Sequence, residues 1–171
     1  MRRSVRSSRR ATRSTASLAS PFSPRIEVQE MTQQPYDKPL PQRLPENEEF
    51  FAGLEAGEFR VPKCNNCGYW HWIPYPACRN CLSTDQTWTA TSGKGKIFSY
   101  TVVHRGPGGF RDDVPYVLAM VEFPEGPRNP IVLGTVVDVD PDAVHTGMPV
   151  KVVYEEIPDE NVTIWHFAPD N

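Results

Sequence analysis

No run of apolar residues in this 171-residue chain approaches the roughly 18 that a membrane-spanning helix needs, so no membrane span is expected. Cysteine is scarce, with four residues confined to the stretch from Cys64 to Cys81. Acidic residues are missing before Glu27 and lysine is missing before Lys38. No apolar stretch of about 7–15 residues follows the N-terminal arginines, so that segment does not read as a secretory signal. The sequence also has no nucleophile elbow, no phosphate-cradling glycine loop and no HExxH motif. "GKGK" (Gly93–Lys96) and "GPGG" (Gly106–Gly109) are too short for phosphate loops and read as turns. These absences remove the common routes to autonomous catalysis.

Proline, by contrast, is plentiful. Its 18 residues are about twice the usual share of ~5 %, which excludes long uninterrupted helices and favours short strands joined by turns. Hydrophobic residues make up 39 % of the chain, a low share for a globular protein, so part of the chain is expected to lie outside any core.

Charge divides the chain. Residues 1–30 carry seven arginines and two acids, whereas the remaining residues hold 11 basic and 19 acidic groups. The Arg/Ser-rich start cannot bury enough apolar surface to offset chain entropy and is expected to be disordered. Three readings stay open for residues 1–30: an extension upstream of a natural start at Met31, a tail without function, or a targeting or nucleic-acid-binding segment. The Arg/Ser bias resembles a mitochondrial transit peptide.

With prolines at 35, 39, 41 and 45, residues 31–45 are expected to be extended. "PENEEFFAGLEAGEF" (Pro45–Phe59) then reads as a helix. Proline and acids suit its first turn, Phe50, Phe51 and Leu54 form an apolar face, and Gly57 ends it. That face either packs on its own protein or is an exposed docking helix. From Thr87 onward the sequence is strand-like. It runs through "TWTATSGKGKIFSYTVVHRG", "PYVLAMVEF" (115–123), "NPIVLGTVVDV" (129–139), "MPVKVVYEEI" (148–157) and "NVTIWHFAP" (161–169), with a helical turn near Pro141–Val144. About five strands suggest a small closed or partly closed barrel, for which the OB architecture fits. The domain reading is an arm over 1–44, a helix plus ribbon over 45–90 and a barrel over 91–171.

The cysteines fall in a C-x2-C-x10-C-x2-C pattern: Cys64, Cys67, Cys78 and Cys81. Two such knuckles can present four thiolates to one tetrahedral metal, and Gly68 supplies the turn after the first knuckle. Zinc is the expected occupant, although iron can sit in the same four sulfurs. Disulfides are disfavoured in a reducing compartment, and a redox pair lacks a βαβ setting. Four thiolates fill the shell, so the metal is expected to be structural. His71 lies between the knuckles and is read as a surface or second-shell residue.

Ribbon, "GxGxIxSYT" (Gly93–Thr101), "PY" (Pro115, Tyr116) and "GMPV" (Gly147–Val150), in that order, resemble the zinc-ribbon/OB-fold family of acyl-CoA-associated proteins over nearly all of 45–169. The resemblance implies a mainly β fold with an N-terminal helix, a rubredoxin-like zinc ribbon and a five-stranded OB barrel. It further implies a structural Zn2+ and a non-catalytic, cytoplasmic accessory subunit. Such a subunit would associate with a thiolase-fold enzyme (a thiolase, synthase or aldolase) and assist acyl-CoA binding or processing in lipid or steroid metabolism. The tip "HWIPYPAC" is more aromatic than the family's usual one. Tyr69, Trp70, Trp72 and Tyr75 are therefore expected to be exposed partner or ligand contacts, in keeping with the aromatic bias of interface hot spots. Arg60, Lys63 and Arg79 flank the knuckles, where they either meet CoA phosphates or solvate the ribbon.

Two other classes compete. A single-stranded nucleic-acid-binding OB protein would stack bases on Phe98, Tyr100, Tyr116 and Trp165. However, residues 93–171 hold six basic and twelve acidic groups, whereas such grooves are normally positive. An independent enzyme would have to rely on His104, Arg105 and Asp112–Asp113, or on His71, His145 or His166, with no recognised constellation around them. A truncated chain beginning at Met31 should fold and bind its partner like the full chain; insolubility or loss of binding in that variant would show residues 1–30 to be structural.

Overall fold

The computed structural model describes residues 36–126 and 128–170. The readings for residues 1–30 and the beginning of the extended arm lie outside the described residues.

From Tyr36 to Leu44 the chain is irregular, as Pro39 and Pro41 dictate. It is tied down by charge: Lys38 Nζ lies 2.7 Å from Asp113 Oδ2 and over the Phe110 ring. A 3-10 turn, Pro45–Asn47, runs into helix α1 (Glu48–Glu55). The Asn47 side chain accepts the Leu44 N–H at 2.7 Å and donates to the Gln42 carbonyl, which caps the entry. Arg43 clamps the outer side, bridging Glu48 and Glu55 while its guanidinium covers Phe51. The chain leaves the helix through Gly57, whose φ of 71° suits only glycine comfortably. Phe50, Phe51 and Leu54 are all buried, so the apolar face packs on its own protein.

Strands β1 (Arg60–Cys64) and β2 (Gln86–Ala90) pair antiparallel and carry the ribbon. The strand-like run expected from Thr87 is therefore broken. Residues 87–90 belong to the ribbon, the chain passes through Gly93 (φ 71°) into the second sheet, and β3 begins at Lys94. With β4 (Tyr116–Glu122), β5 (Ile131–Val136), β6 (Pro149–Ile157) and β7 (Val162–Pro169), β3 (Lys94–Val103) closes a barrel in the order β3-β4-β5-β7-β6. This is the five-stranded OB architecture. Alternation does the sorting: Val117, Ala119 and Val121 point inward, while Leu118 and Met120 between them point out. Gly95 permits the closing strand crossing, because a Cβ there would meet Val121 Cγ1 at 2.6 Å. Among the described residues no helix is long and apolar enough to cross a membrane.

Ribbon, helix and barrel share one aromatic cluster. Phe59 stacks on Phe123 with centroids 5.4 Å apart, and Trp72 lies 5.3 Å from Phe50 and 5.9 Å from Trp165. Trp70 is buried beneath the 124–126 loop, so closely that a Cβ on Gly126 would strike its ring. The expectation that Trp70 and Trp72 are exposed at the ribbon tip is thus corrected. Trp70 is buried, and Trp72 is half-buried against the core, joining ribbon to barrel. Phe59→Ala should lower unfolding free energy by about 3–5 kcal/mol in denaturant titrations with metal retained. A loss below about 1 kcal/mol would mean that the cluster does not join ribbon to barrel.

Candidate metal centre and the ribbon surface

Each cysteine pair sits in a tight turn with the same hydrogen-bond pattern. After Cys64 the N–H of Gly68 donates to the Cys64 carbonyl (2.9 Å), and the Cys64 N–H donates to the Tyr69 carbonyl (2.8 Å). After Cys78 the N–H of Leu82 donates to the Cys78 carbonyl (2.8 Å), and the Cys78 N–H donates to the Ser83 carbonyl (2.8 Å). In both turns the fourth residue past the first cysteine is left-handed, Gly68 at φ 70° and Leu82 at 63°. Glycine adopts this conformation freely, whereas leucine seldom does. The second knuckle therefore holds a conformation that its sequence does not advertise.

These turns bring all four sulfurs within 4.8 Å of one another, with Cys64–Cys81 and Cys67–Cys78 at 3.6 Å. That spacing is too long for an S–S bond of about 2.05 Å, and all four cysteines are free. A tetrahedron with metal–sulfur bonds of about 2.3 Å has edges of about 3.8 Å, so the donor set fits zinc with little adjustment. Burial pushes the Cys64 thiol up to about 11. Cys81 is brought down to about 6, chiefly by the Asn66 amide that donates to its sulfur at 3.4 Å. A divalent cation would hold all four as thiolates. The zinc-ribbon architecture and this cluster together support a structural zinc.

His71 is no surface residue. It is 1 % exposed, and neither ring nitrogen has a partner. Burial, and then the nearby Arg79 charge, lower its pKa, which leaves a neutral imidazole at pH 7. It stands outside the four-sulfur group.

The remaining expected contacts separate by environment. Tyr75 is exposed, with the Arg79 guanidinium 4.8 Å above its ring. Lys63 is partly covered and lies over Trp70 at 5.4 Å, and Tyr69 is half-buried. Arg60 is already engaged, at 2.7 Å from Glu58 and 3.6 Å from Glu49. Two further apolar residues are exposed, Ile73 beside Trp72 and Leu82 in the second knuckle. No periodicity marks either one. Of the four aromatics read as a base-stacking platform, Phe98 and Tyr100 are exposed, Tyr116 lies half-buried beside Phe110, and Trp165 belongs to the core cluster. Asp113 pairs with Lys38, while His104 is solvent-exposed.

Two family models match in the order of the architecture. The rubredoxin-like zinc ribbon domain of ChsH2 matches residues 51–85, and the C-terminal OB-fold domain of ChsH2 matches residues 88–155. A DUF35 domain-containing scaffold protein of Methanocaldococcus jannaschii is 36 % identical over 99 residues, covering 57 % of this chain and 68 % of that protein. The 3-oxo-4,17-pregnadiene-20-carboxyl-CoA hydratase alpha subunit of Mycobacterium tuberculosis is 35 % identical over 116 residues. This match takes in 68 % of this chain but only 36 % of that subunit. Among solved structures, a chain described as Ltp2-ChsH2(DUF35) aldolase superposes with a TM-score of 0.68 at 29 % identity, covering 77 % of this chain and all of that one.

Cys78→Ser should reduce zinc from one per chain to a trace, because ribbon sites of this kind draw about 10–16 kcal/mol of apparent binding free energy from their thiolates at pH 7. The ribbon should melt, with loss of the near-ultraviolet signal of Trp72, while the far-ultraviolet signal of the barrel persists. Stoichiometric zinc in Cys78→Ser, or disulfides in place of zinc in the native chain, would contradict the assignment.

Proposed function

Since this chain belongs to the ChsH2/DUF35 family of rubredoxin-like zinc ribbons joined to OB folds, we propose that it is a non-catalytic subunit of a thiolase-fold enzyme, assisting that enzyme's binding or processing of acyl-CoA. The observation that carries the reading is the closed sulfur shell. Cys64, Cys67, Cys78 and Cys81 would hold zinc through four thiolates, with no open position for water or substrate. The metal then rigidifies a docking surface and performs no chemistry. The names of the similar proteins support this reading: a scaffold protein, the alpha subunit of a carboxyl-CoA hydratase, and an Ltp2-ChsH2(DUF35) aldolase.

In this reading the ribbon crest is the docking element. Leu82 projects from the second knuckle, and Ile73 and Tyr75 from the loop between the two knuckles; side chains held in this way lose little conformational freedom on association. Trp70 and Trp72 act indirectly by holding the crest to the barrel. Arg79 and Lys63 would be the cations that meet CoA phosphates, since Arg60 is neutralised by its two carboxylate neighbours. The working units are the helix and ribbon over 45–90 and the barrel over 91–171. Four free thiols at a metal site suit the reducing cytoplasm, where we place the protein.

Co-expression with a thiolase-fold enzyme should yield a stable complex, and that enzyme's acyl-CoA turnover should change with and without this chain. Ile73→Ala with Tyr75→Ala should weaken the complex by about 2 kcal/mol or more, with zinc content and folding unchanged. Acyl-CoA turnover by this chain alone, or failure to form a complex with any thiolase-fold enzyme tested, would reject the reading. Tight binding of single-stranded DNA at physiological salt, dependent on Phe98 and Tyr100, would redirect it to nucleic acid.

A further inference from the structure

Away from the ribbon, a cleft of about 990 Å3 opens between the N-terminal arm and the flank of the barrel formed by β5, β6 and β7. Its floor carries a hydrogen-bonded chain drawn from all three strands. Thr135 Oγ1 (β5) bonds His166 Nδ1 (β7), and His166 Nε2 lies 2.8 Å from Glu155 Oε2 (β6). Polar residues on the outer face of a barrel are ordinarily just solvated. Two features set this face apart. The outward neighbours of the chain are apolar, Val153 opposite His166 and Ile164 opposite Glu155, where a free surface favours polar side chains. The arm also roofs the face, and Lys38 latches it to Asp113 at 2.7 Å.

The relay has a direction. A carboxylate only accepts, so Glu155 requires the proton of the imidazole to sit on Nε2. In the neutral ring Nδ1 is then bare and accepts the Thr135 O–H. Thr135 is left with lone pairs alone to offer, and its complement is a donor. Charge narrows the choice further. Lys38 is matched by Asp113, while Glu155 and Asp138 remain on the cleft wall, so phosphate or carboxylate groups meet a negative field. The volume lies near the upper end of the usual range for small-molecule pockets, about 300–1,000 Å3.

We infer that this cleft binds a small, uncharged, largely apolar molecule bearing a hydroxyl group, whose O–H donates to Thr135 while its hydrocarbon body lies on Val153 and Ile164 beneath the arm. The site is separate from the ribbon crest, so neither it nor the partner assignment stands or falls with the other.

Calorimetric titration of the full zinc-loaded chain at pH 8 with 1-decanol, 2-decanone and coenzyme A tests this. Decanol should bind saturably at one site, at least tenfold more tightly than decanone, and millimolar coenzyme A should not displace it. Thr135→Val should abolish the preference for the alcohol, and Ile164→Trp should weaken both ligands at least tenfold, each with wild-type zinc content and melting temperature. Three results would overturn the site: no saturable decanol binding, displacement by coenzyme A, or affinity unchanged in Ile164→Trp. A preference for alcohol that survives in Thr135→Val would overturn the role of the relay. Should either variant fail to fold, the comparison of the three ligands on the native chain decides alone.

Discussion

Four sulfurs held within 4.8 Å of one another are the constraint on which the ribbon half of the molecule depends. Between Cys64 and Cys81 the chain has no helix or strand and few backbone bonds beyond those of its two turns. Burial of Trp70, His71 and part of Trp72 offsets only some of the conformational entropy of so irregular a segment. A metal that binds only the folded arrangement supplies the missing free energy, because binding and folding of the site are then one event. The left-handed Leu82 is tolerable for the same reason: its local cost is small beside that of losing a ligand pair.

What the metal fixes is passed to the barrel through aromatic rings. Trp72 leaves the ribbon tip and enters a cluster with Phe50 of α1, Phe59 before β1 and Trp165 of β7. A two-stranded hairpin alone is marginal in water, so β1 and β2 need this packing as much as they need the metal. Acidic clamps at Arg43 and Arg60 are exposed and contribute little by comparison. The result is a crest whose exposed side chains, Ile73, Tyr75 and Leu82, stand on a support fixed from two directions.

The legible parts of the sequence were those written in local patterns. C-x-x-C spacing specifies a metal site because two turns suffice to aim four ligands, and β-branched runs with Gly/Pro punctuation specify strands. Residues whose roles depend on distant partners were not legible. Trp70 and Trp72 read as exposed because nothing nearby in sequence covers them. Their cover comes from Gly126 and Trp165, brought there by the barrel. The continuous strand-like run from Thr87 concealed the boundary at Gly93, since β-propensity does not say to which sheet a strand belongs. His71 between two cysteine pairs resembled a ligand-rich surface loop, yet its ring is enclosed. The Thr135–His166–Glu155 chain spans three strands and has no sequence signature.

A metal shell closed by four sulfurs makes the centre architectural. X-ray absorption at the zinc edge of the native protein tests it most directly. Four sulfur neighbours at about 2.3 Å and no lighter ligand are expected. A nitrogen or oxygen in the first coordination sphere, whether from His71 or from an exchangeable water, would contradict it and reopen the question of catalysis at the metal.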